Sequence, residues 1–311
     1  MNANQLLPST EPAVQKRDIL WKGIMEDLFA DFLRFFFAHA DSIFDIDRGF
    51  EFLDKELHEI TPDSKVKHPR FVDKLVKTWY KDGTEKWLLV HIEVQGYADK
   101  SFPARMFTYF YRICDKFHQE ITSLAIFTDE DDKYHPDRYE YNCFGTSLLF
   151  RFNTYKVKAQ DKRLLEESNN PFATVILMVL STIERRGGDP VQLLESSLAL
   201  VRRLYEKGFP KEKAGRLLQF IKRYVNFGDS GLLLKFEEEI KAITDNPDNM
   251  GIYEQILQME KAEVEERNKT MFVRNLLRNT SLSIQTIAES AEVSVDFVIE
   301  VKNSLSEREN G

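Results

Sequence analysis

The sequence predicts an α+β fold in which a mixed sheet is flanked by helices and followed by an all-helical region. Three observations predict it. Residues 71–80 and 87–95 both have strand composition, and the Gly-containing turn at Asp82-Gly83 makes an antiparallel hairpin the economical connection. Residues 104–117 carry Met106, Tyr109, Phe110 and Ile113 at helical spacings, ahead of a short apolar run at 121–128 that suits a buried strand, so a helical crossover joins two strands. The character then changes near Ser168-Asn169-Asn170-Pro171, beyond which the chain reads almost wholly as helix.

Taken in order, residues 18–38 place Ile24, Leu28, Phe32, Phe35 and Phe36 on one greasy helical face that should pack on the sheet. Residues 50–60 fit either helix or strand, and Pro62-Asp63 marks a loop before the hairpin. After the crossover, residues 139–143 and 148–157 read as further strand or loop. Helices are expected at 172–183, 191–207, 211–226, 232–243 and 253–278, punctuated by Gly187-Gly188-Asp189-Pro190, Phe209-Pro210 and Asn246-Pro247. The Glu- and Lys-rich residues 258–269 suit an exposed helix face. The expected division is 1–168, 169–280 and a small C-terminal segment at 281–311.

Strand alternation puts Glu93 and Gln95 on one face of the second hairpin strand. A three-residue loop at 82–84 would pair Lys81 with Glu85 and set Asp73 directly opposite Glu93. Two facing carboxylates repel unless a cation lies between them, so this register points to a divalent ion. A two-residue Asp82-Gly83 turn would shift the pairing by one and send the acids to opposite faces.

The motifs then resemble a family. Asp73, the hairpin and Glu93-Val94-Gln95 look like the core of the PD-(D/E)xK nucleases, in the variant where Gln stands for the usual Lys. More narrowly, Asp18-Ile-Leu-Trp-Lys22, Val72-Asp73-Lys74-Leu75, His91-Ile-Glu-Val-Gln-Gly96 and Arg105-Met-Phe-Thr-Tyr-Phe-Tyr-Arg112 are similar to the Rpn family of bacterial recombination-promoting nucleases, which also carries a transposase label. The similarity covers roughly the first half well and the rest loosely, and Val72 stands where the superfamily name has Pro. It implies a restriction-endonuclease-like core and metal-dependent hydrolysis of DNA. By the resemblance, Asp73 and Glu93 hold Mg2+ or Mn2+ with the Val94 main-chain carbonyl, the ion polarises the scissile phosphate, and Gln95 orients the attacking water. Asp18 matches an acid that could complete the metal shell, but an Asp early in a helix is equally an ordinary cap or first-turn residue.

Lys74, His91, Arg105, Tyr109 and Arg112 are the candidates for touching phosphate or bracing the carboxylates. Arg105, Tyr109 and Arg112 fall at i, i+4 and i+7 on one helix face, where a buried polar network is the competing reading. His91 shares the strand face of Glu93 and could be a ligand or base, or simply packed.

Composition suits a cytoplasmic protein. Its 42% apolar residues, including 24 Phe, can build a sizeable core in 311 residues. Cys114 and Cys143 are the only cysteines and form no Cys-x-x-Cys pair, so neither a disulfide framework nor a structural zinc site is expected. The first residues lack the apolar run of a signal peptide, and no membrane segment is expected. A net charge of −8 argues against coating nucleic acid by bulk electrostatics. Lys65, Lys67, Arg70, Lys74, Lys77, Lys81 and Lys86 nevertheless cluster around the hairpin, either to face DNA or to guard a strand edge against aggregation.

Residues 283–298 resemble a helix-turn-helix, with Glu292 near the position of the usual turn Gly. The second helix carries Asp296 and Glu300 with Lys302 as its base. Carboxylates repel phosphates, and sequence readout wants Arg, Lys, Asn or Gln on base edges. A helical packing unit or homodimer surface is therefore the expectation for the C-terminal region.

Overall fold

A computed structural model describes residues 11–53, 56–57, 60, 71–93, 99–185, 188–244 and 252–309. The chain divides into two compact units, Met1–Asn246 and Pro247–Gly311. Five strands of the first unit form one mixed sheet: β1 (Glu51–Phe52), β2 (Phe71–Trp79), β3 (Glu85–Glu93), β4 (Ile121–Phe127) and β7 (Asn153–Lys156) lie side by side in that order. β1, β2 and β3 are antiparallel, whereas β3, β4 and β7 run parallel. The parallel step from β3 to β4 is made by the expected crossover helix, here α4 (Phe102–Phe117). A separate two-stranded hairpin, β5 (Arg138–Cys143) and β6 (Thr146–Arg151), lies between β4 and β7 in the chain.

The helical pattern over 18–38 resolves into α1 (Glu11–Asp27) and α2 (Phe29–Phe36), interrupted at Leu28, followed by the short α3 (Ala40–Ile43). The interruption keeps the greasy face continuous, with Ile24, Leu28 and Phe32 all buried. Residues 50–60 contain both structures weighed for them: β1 pairs with β2, and residues 56, 57 and 60 are helical.

Two layers cover the sheet. On one face, Leu75, Trp87 and Leu89 pack with Ile113 of α4, while Ala125 and Phe127 of β4 pack with Phe102 and Met106 from the start of that helix. On the other, α1 lies against β2, and Trp21 of α1 meets Phe172 and Phe220 at ring separations of 6.5 and 6.1 Å. Phe172 belongs to α6 (Pro171–Glu184), which follows the short α5 (Lys162–Glu167). Every residue from Pro171 to Ser181 is buried, which makes α6 a central core helix, apolar all round but too short to span a bilayer. Its start is fixed from both sides. Asn170 Oδ1 accepts the Phe172 N–H at 2.8 Å, as an N-cap should, while Asn170 Nδ2 donates to the Asp31 carbonyl in α2 at 2.9 Å.

Three amphipathic helices complete this unit: α7 (Pro190–Glu206), α8 (Lys211–Tyr224) and α9 (Ser230–Thr244). Because α6 and α8 pack on α2 and α1, the helices after Pro171 share a compact unit with the sheet, and the division falls at Asn246 instead of 168. The sequence break near 168 marks a change of secondary structure within one core.

The second unit contains α10 (Ile252–Asn279), α11 (Ile284–Ala291) and α12 (Val295–Glu309). Val273, Ile287, Ala288, Ala291, Val298 and Val301 form its core. Glu292 occupies the left-handed region (φ 53°) where the motif usually has Gly, and Asp296, Glu300 and Lys302 of α12 are exposed. Among the described residues no helix is long and apolar enough to cross a membrane.

Candidate active site

The geometry of the candidate site begins at the hairpin turn. Tyr80 N–H donates to the Thr84 carbonyl and Gly83 N–H to the Tyr80 carbonyl, both at 2.9 Å, so the three loop residues are Lys81, Asp82 and Gly83. Gly83 closes the loop at φ +84°, the left-handed conformation that a three-residue hairpin asks of its last position. Asp82 Oδ1 accepts the Thr84 N–H at 2.8 Å and steadies the turn. The loop therefore lies one residue earlier than the 82–84 expected, which shifts the strand pairing by two.

The direct partner of Asp73 is consequently His91, and Glu93 pairs with Phe71. This corrects the expectation that Asp73 and Glu93 face one another. A shift of two preserves side-chain parity, so positions 73, 91 and 93 still share one face of adjacent strands, with 73 and 93 on a diagonal. Residues on such a diagonal lie about 7–8 Å apart, with their β-carbons somewhat closer. Mg2+ takes carboxylate oxygens at about 2.1 Å. The donor set of two hard carboxylates fits such an ion. The side chains of Asp18, Asp73 and Glu93, and all of Val94 and Gln95, lie outside the described residues; Asp18 falls within α1. Among the described residues no group of three or more His, Cys, Asp and Glu is placed to hold a metal.

His91 is fully buried, its ring 4.9 Å from Phe102 at the start of α4. Burial against an aromatic ring makes it a packed residue directly across from position 73. Arg105, one turn along α4, gives Nη1 to Asp99 Oδ2 at 2.8 Å and lies over the Phe102 ring. Asp99 also accepts from the Ser101 N–H at 2.8 Å and from its hydroxyl at 2.6 Å. Burial works against ionisation of Asp99, but the bonds from Ser101 and Arg105 outweigh it and hold the carboxyl below its ordinary range. Tyr109 packs against the Leu75, Leu89 and Ile113 cluster, and Arg112 Nη1 donates to the Ile60 carbonyl at 2.5 Å. The i, i+4, i+7 face of α4 thus braces the fold through Asp99 and Ile60.

Lys74 is the second correction. It alternates to the opposite sheet face, is 2% exposed, and pairs with Glu26 of α1 beside the Phe52 ring. It does not lie on the face of positions 73 and 93. The remaining described lysines of the basic cluster also meet carboxylates: Lys77 meets Glu51 and Glu85, Lys81 meets Asp45, and Lys86 meets Glu120. Lys65, Lys67 and Arg70 lie outside the described residues.

A polar network that sequence reading did not find lies at the same end of the sheet. The register carries Glu93 to Phe127 and Phe127 to Lys156. Lys156, 3% exposed, places Nζ 2.5 Å from Oδ1 of the fully buried Asp129 and 3.2 Å from the Tyr134 carbonyl. Tyr134 in turn donates its hydroxyl to the Asp99 carbonyl at 2.8 Å. The loop after β4 is thereby tied to the start of α4. An Asp in an acidic Asp129-Glu-Asp-Asp run reads as solvated surface, and nothing local marks its distant lysine.

Comparison with protein-family models, curated proteins and solved structures gave no match.

Proposed function

We propose that the chain is a metal-dependent DNA endonuclease with a restriction-endonuclease-like core, related to the Rpn nucleases that its motifs resemble and serving DNA recombination or mobile-element transfer. The observation that carries this reading is the β2–β3 register, in which positions 73 and 93 occupy a diagonal on one face at the end of a mixed sheet. The helical crossover to the parallel strand β4 supports it as well. Open α/β sheets bind ligands at the carboxyl ends of their parallel strands, and position 93 ends β3.

In this reading Asp73 and Glu93 hold Mg2+ or Mn2+ together with the Val94 carbonyl. When bound, the ion supplies Lewis-acid polarisation of the scissile phosphate. Gln95 contributes an amide that can accept and donate hydrogen bonds and so orient the attacking water, without the positive charge of a Lys. Buried His91 and the Asp99–Arg105 pair fix the start of α4.

Cleavage of supercoiled plasmid with Mg2+ or Mn2+, lost in Asp73→Ala and in Glu93→Ala while folding is retained, is the expected result. Parallel assays on RNA separate a ribonuclease from a deoxyribonuclease. The neutral Gln95 favours one competing reading, a binding member of the same fold without turnover. Absence of cleavage by the parent chain under any divalent ion would select that reading.

A further inference from the structure

We infer that the β5–β6 hairpin is an arm through which two copies of this chain associate. Its two strands form a sheet of their own, so among the described residues neither outer edge has a strand partner. An isolated hairpin is marginally stable in water and needs a packed face. Only the base of this one has such a face: Tyr139 stacks on Phe107 of α4 at 5.2 Å, and Phe150 lies 4.6 Å from Phe110. Beyond them the pairs Tyr141↔Leu148 and Cys143↔Thr146 carry the same face out into solvent.

The tip adds a second anomaly. Because Cys143 pairs with Thr146, the loop is Phe144-Gly145, with both residues in the left-handed region at φ +43° and +85°. Such turns favour Asn or Gly at the first position, since a bulky side chain is strained there. Here that position holds a phenylalanine, fully exposed. Strain and a hydrated aromatic ring both disfavour the isolated molecule, and seating the ring on an apolar surface would offset them.

Three observations make a second copy the partner. First, residues 141–149 carry no charge in a chain that is 30% charged, while Arg138 and Arg151 sit at the base of the arm. The tip therefore offers phosphate no cation, and two chains of net charge −8 can meet there without opposing like charges. Second, the apolar surface that Phe144 needs is on the same chain. Tyr111, 51% exposed, extends the Tyr139–Phe107 stack outward, and Tyr141 and Leu148 are 45% and 37% exposed. Arms crossing antiparallel about a twofold axis set each tip against the other copy's arm, which makes one patch complementary to itself. Third, the area suffices: Phe144, Tyr141, Tyr111 and Leu148 expose about 450 Å² per chain at the usual size of such side chains. Two such patches with their uncharged rim reach the roughly 1,000 Å² at which specific interfaces begin. The proposal does not rest on the nuclease reading.

The test is sedimentation equilibrium of the full chain in chelator across the micromolar range, beside hydrogen exchange at its two ends. An interface of this size should give a monomer–dimer equilibrium with Kd on the order of 10 μM, and residues 141–149 should gain protection in the dimer. Phe144→Gly keeps the left-handed turn and removes the ring, so it should weaken association at least tenfold while the dilute monomer keeps the parent's melting temperature. Tyr141→Asp, which sets a charge within the patch and leaves the turn alone, should weaken it as much. A chain that stays monomeric, a dimer unaffected by both variants, or protection confined to residues 252–309 would overturn the proposal. So would a monomeric chain that binds duplex DNA more tightly than Phe144→Gly does, which would assign the tip to DNA. Association is read without metal, so its failure leaves the metal acids untouched, and loss of cleavage in Asp73→Ala leaves the arm untouched.

Discussion

Asp129→Asn removes one charge from the most enclosed ion pair described in the molecule and keeps the shape of the side chain. Lys156 would be left 3% exposed, with the neutral Tyr134 carbonyl at 3.2 Å and an amide oxygen in place of a carboxylate at 2.5 Å. Breaking a buried pair by neutralising one partner costs about 3–5 kcal/mol, because the surviving charge loses its compensation while remaining desolvated. The compact unit that holds the pair spans Met1–Asn246, a size at which each kcal/mol moves the melting temperature by about 2–4 °C. The expected fall is therefore about 6–20 °C, measured by circular dichroism and calorimetry at neutral pH. The double variant Asp129→Leu with Lys156→Met removes both charges and should recover most of the loss, since apolar replacements of a buried pair are often neutral or stabilising. Completing the cycle with the single variants Asp129→Leu and Lys156→Met gives the coupling directly. A fall below about 2 °C in Asp129→Asn would mean that the lysine reaches water or another anion, and the pair would then not be what secures the loop after β4.

Three further outcomes follow from the same structure. Repulsion between two carboxylates about 7–8 Å apart is about 0.5 kcal/mol in a water-like dielectric, so Glu93→Gln should be at least as heat-stable as the parent in chelator and should gain less stability from Mg2+; clear destabilisation in chelator would assign Glu93 a structural role. Gln95→Lys should keep metal-dependent cleavage, whereas Gln95→Leu, which cannot hydrogen-bond, should lose most of it while folding normally; full single-turnover activity in the Leu variant would exclude Gln95 from the mechanism. Burial pushes Tyr205 up to about 12, and its hydroxyl makes no hydrogen bond among the described residues. Unfolded tyrosine ionises near pH 10, so its contribution to stability is present below pH 10 and lost as pH rises from about 10 to 12. Tyr205→Phe should flatten that decline in denaturant titrations without a loss at neutral pH, and an unchanged alkaline slope would refute it.

What the sequence could and could not reveal follows from the range of each interaction. Helices α6 to α10 announce themselves through local periodicity and through Pro and Gly punctuation, and their bounds agree with the pattern to within a few residues. The crossover α4 and the buried strand β4 were legible for the same reason. Lys74 was not, because charge and alternation say which face a residue occupies only when one face is wet, and here α1 covers the face onto which Lys74 turns. The Asp129–Lys156 pair was beyond reach for a different reason: its partners are joined only by the pairing of β4 with β7, a contact between strands separated by a whole hairpin.

The hairpin register lies between these cases and decides how much of the site survives. Asp82-Gly83 marked the turn, but the number of loop residues before the left-handed Gly83 sets the pairing, and composition does not state that number. The error was two residues. A strand repeats every two residues, so an even slip exchanges the neighbours of Asp73, His91 for Glu93, while both acids keep the same face. An odd slip would have put positions 73 and 93 on opposite faces and removed any shared cation. The face that the two acids share was therefore readable from the sequence, and the diagonal that separates them was not. That diagonal brings His91, fully buried against Phe102, into the place directly across from position 73. Under the proposed function, a cation would be held between positions staggered along the strands, beside an imidazole that the core keeps from solvent.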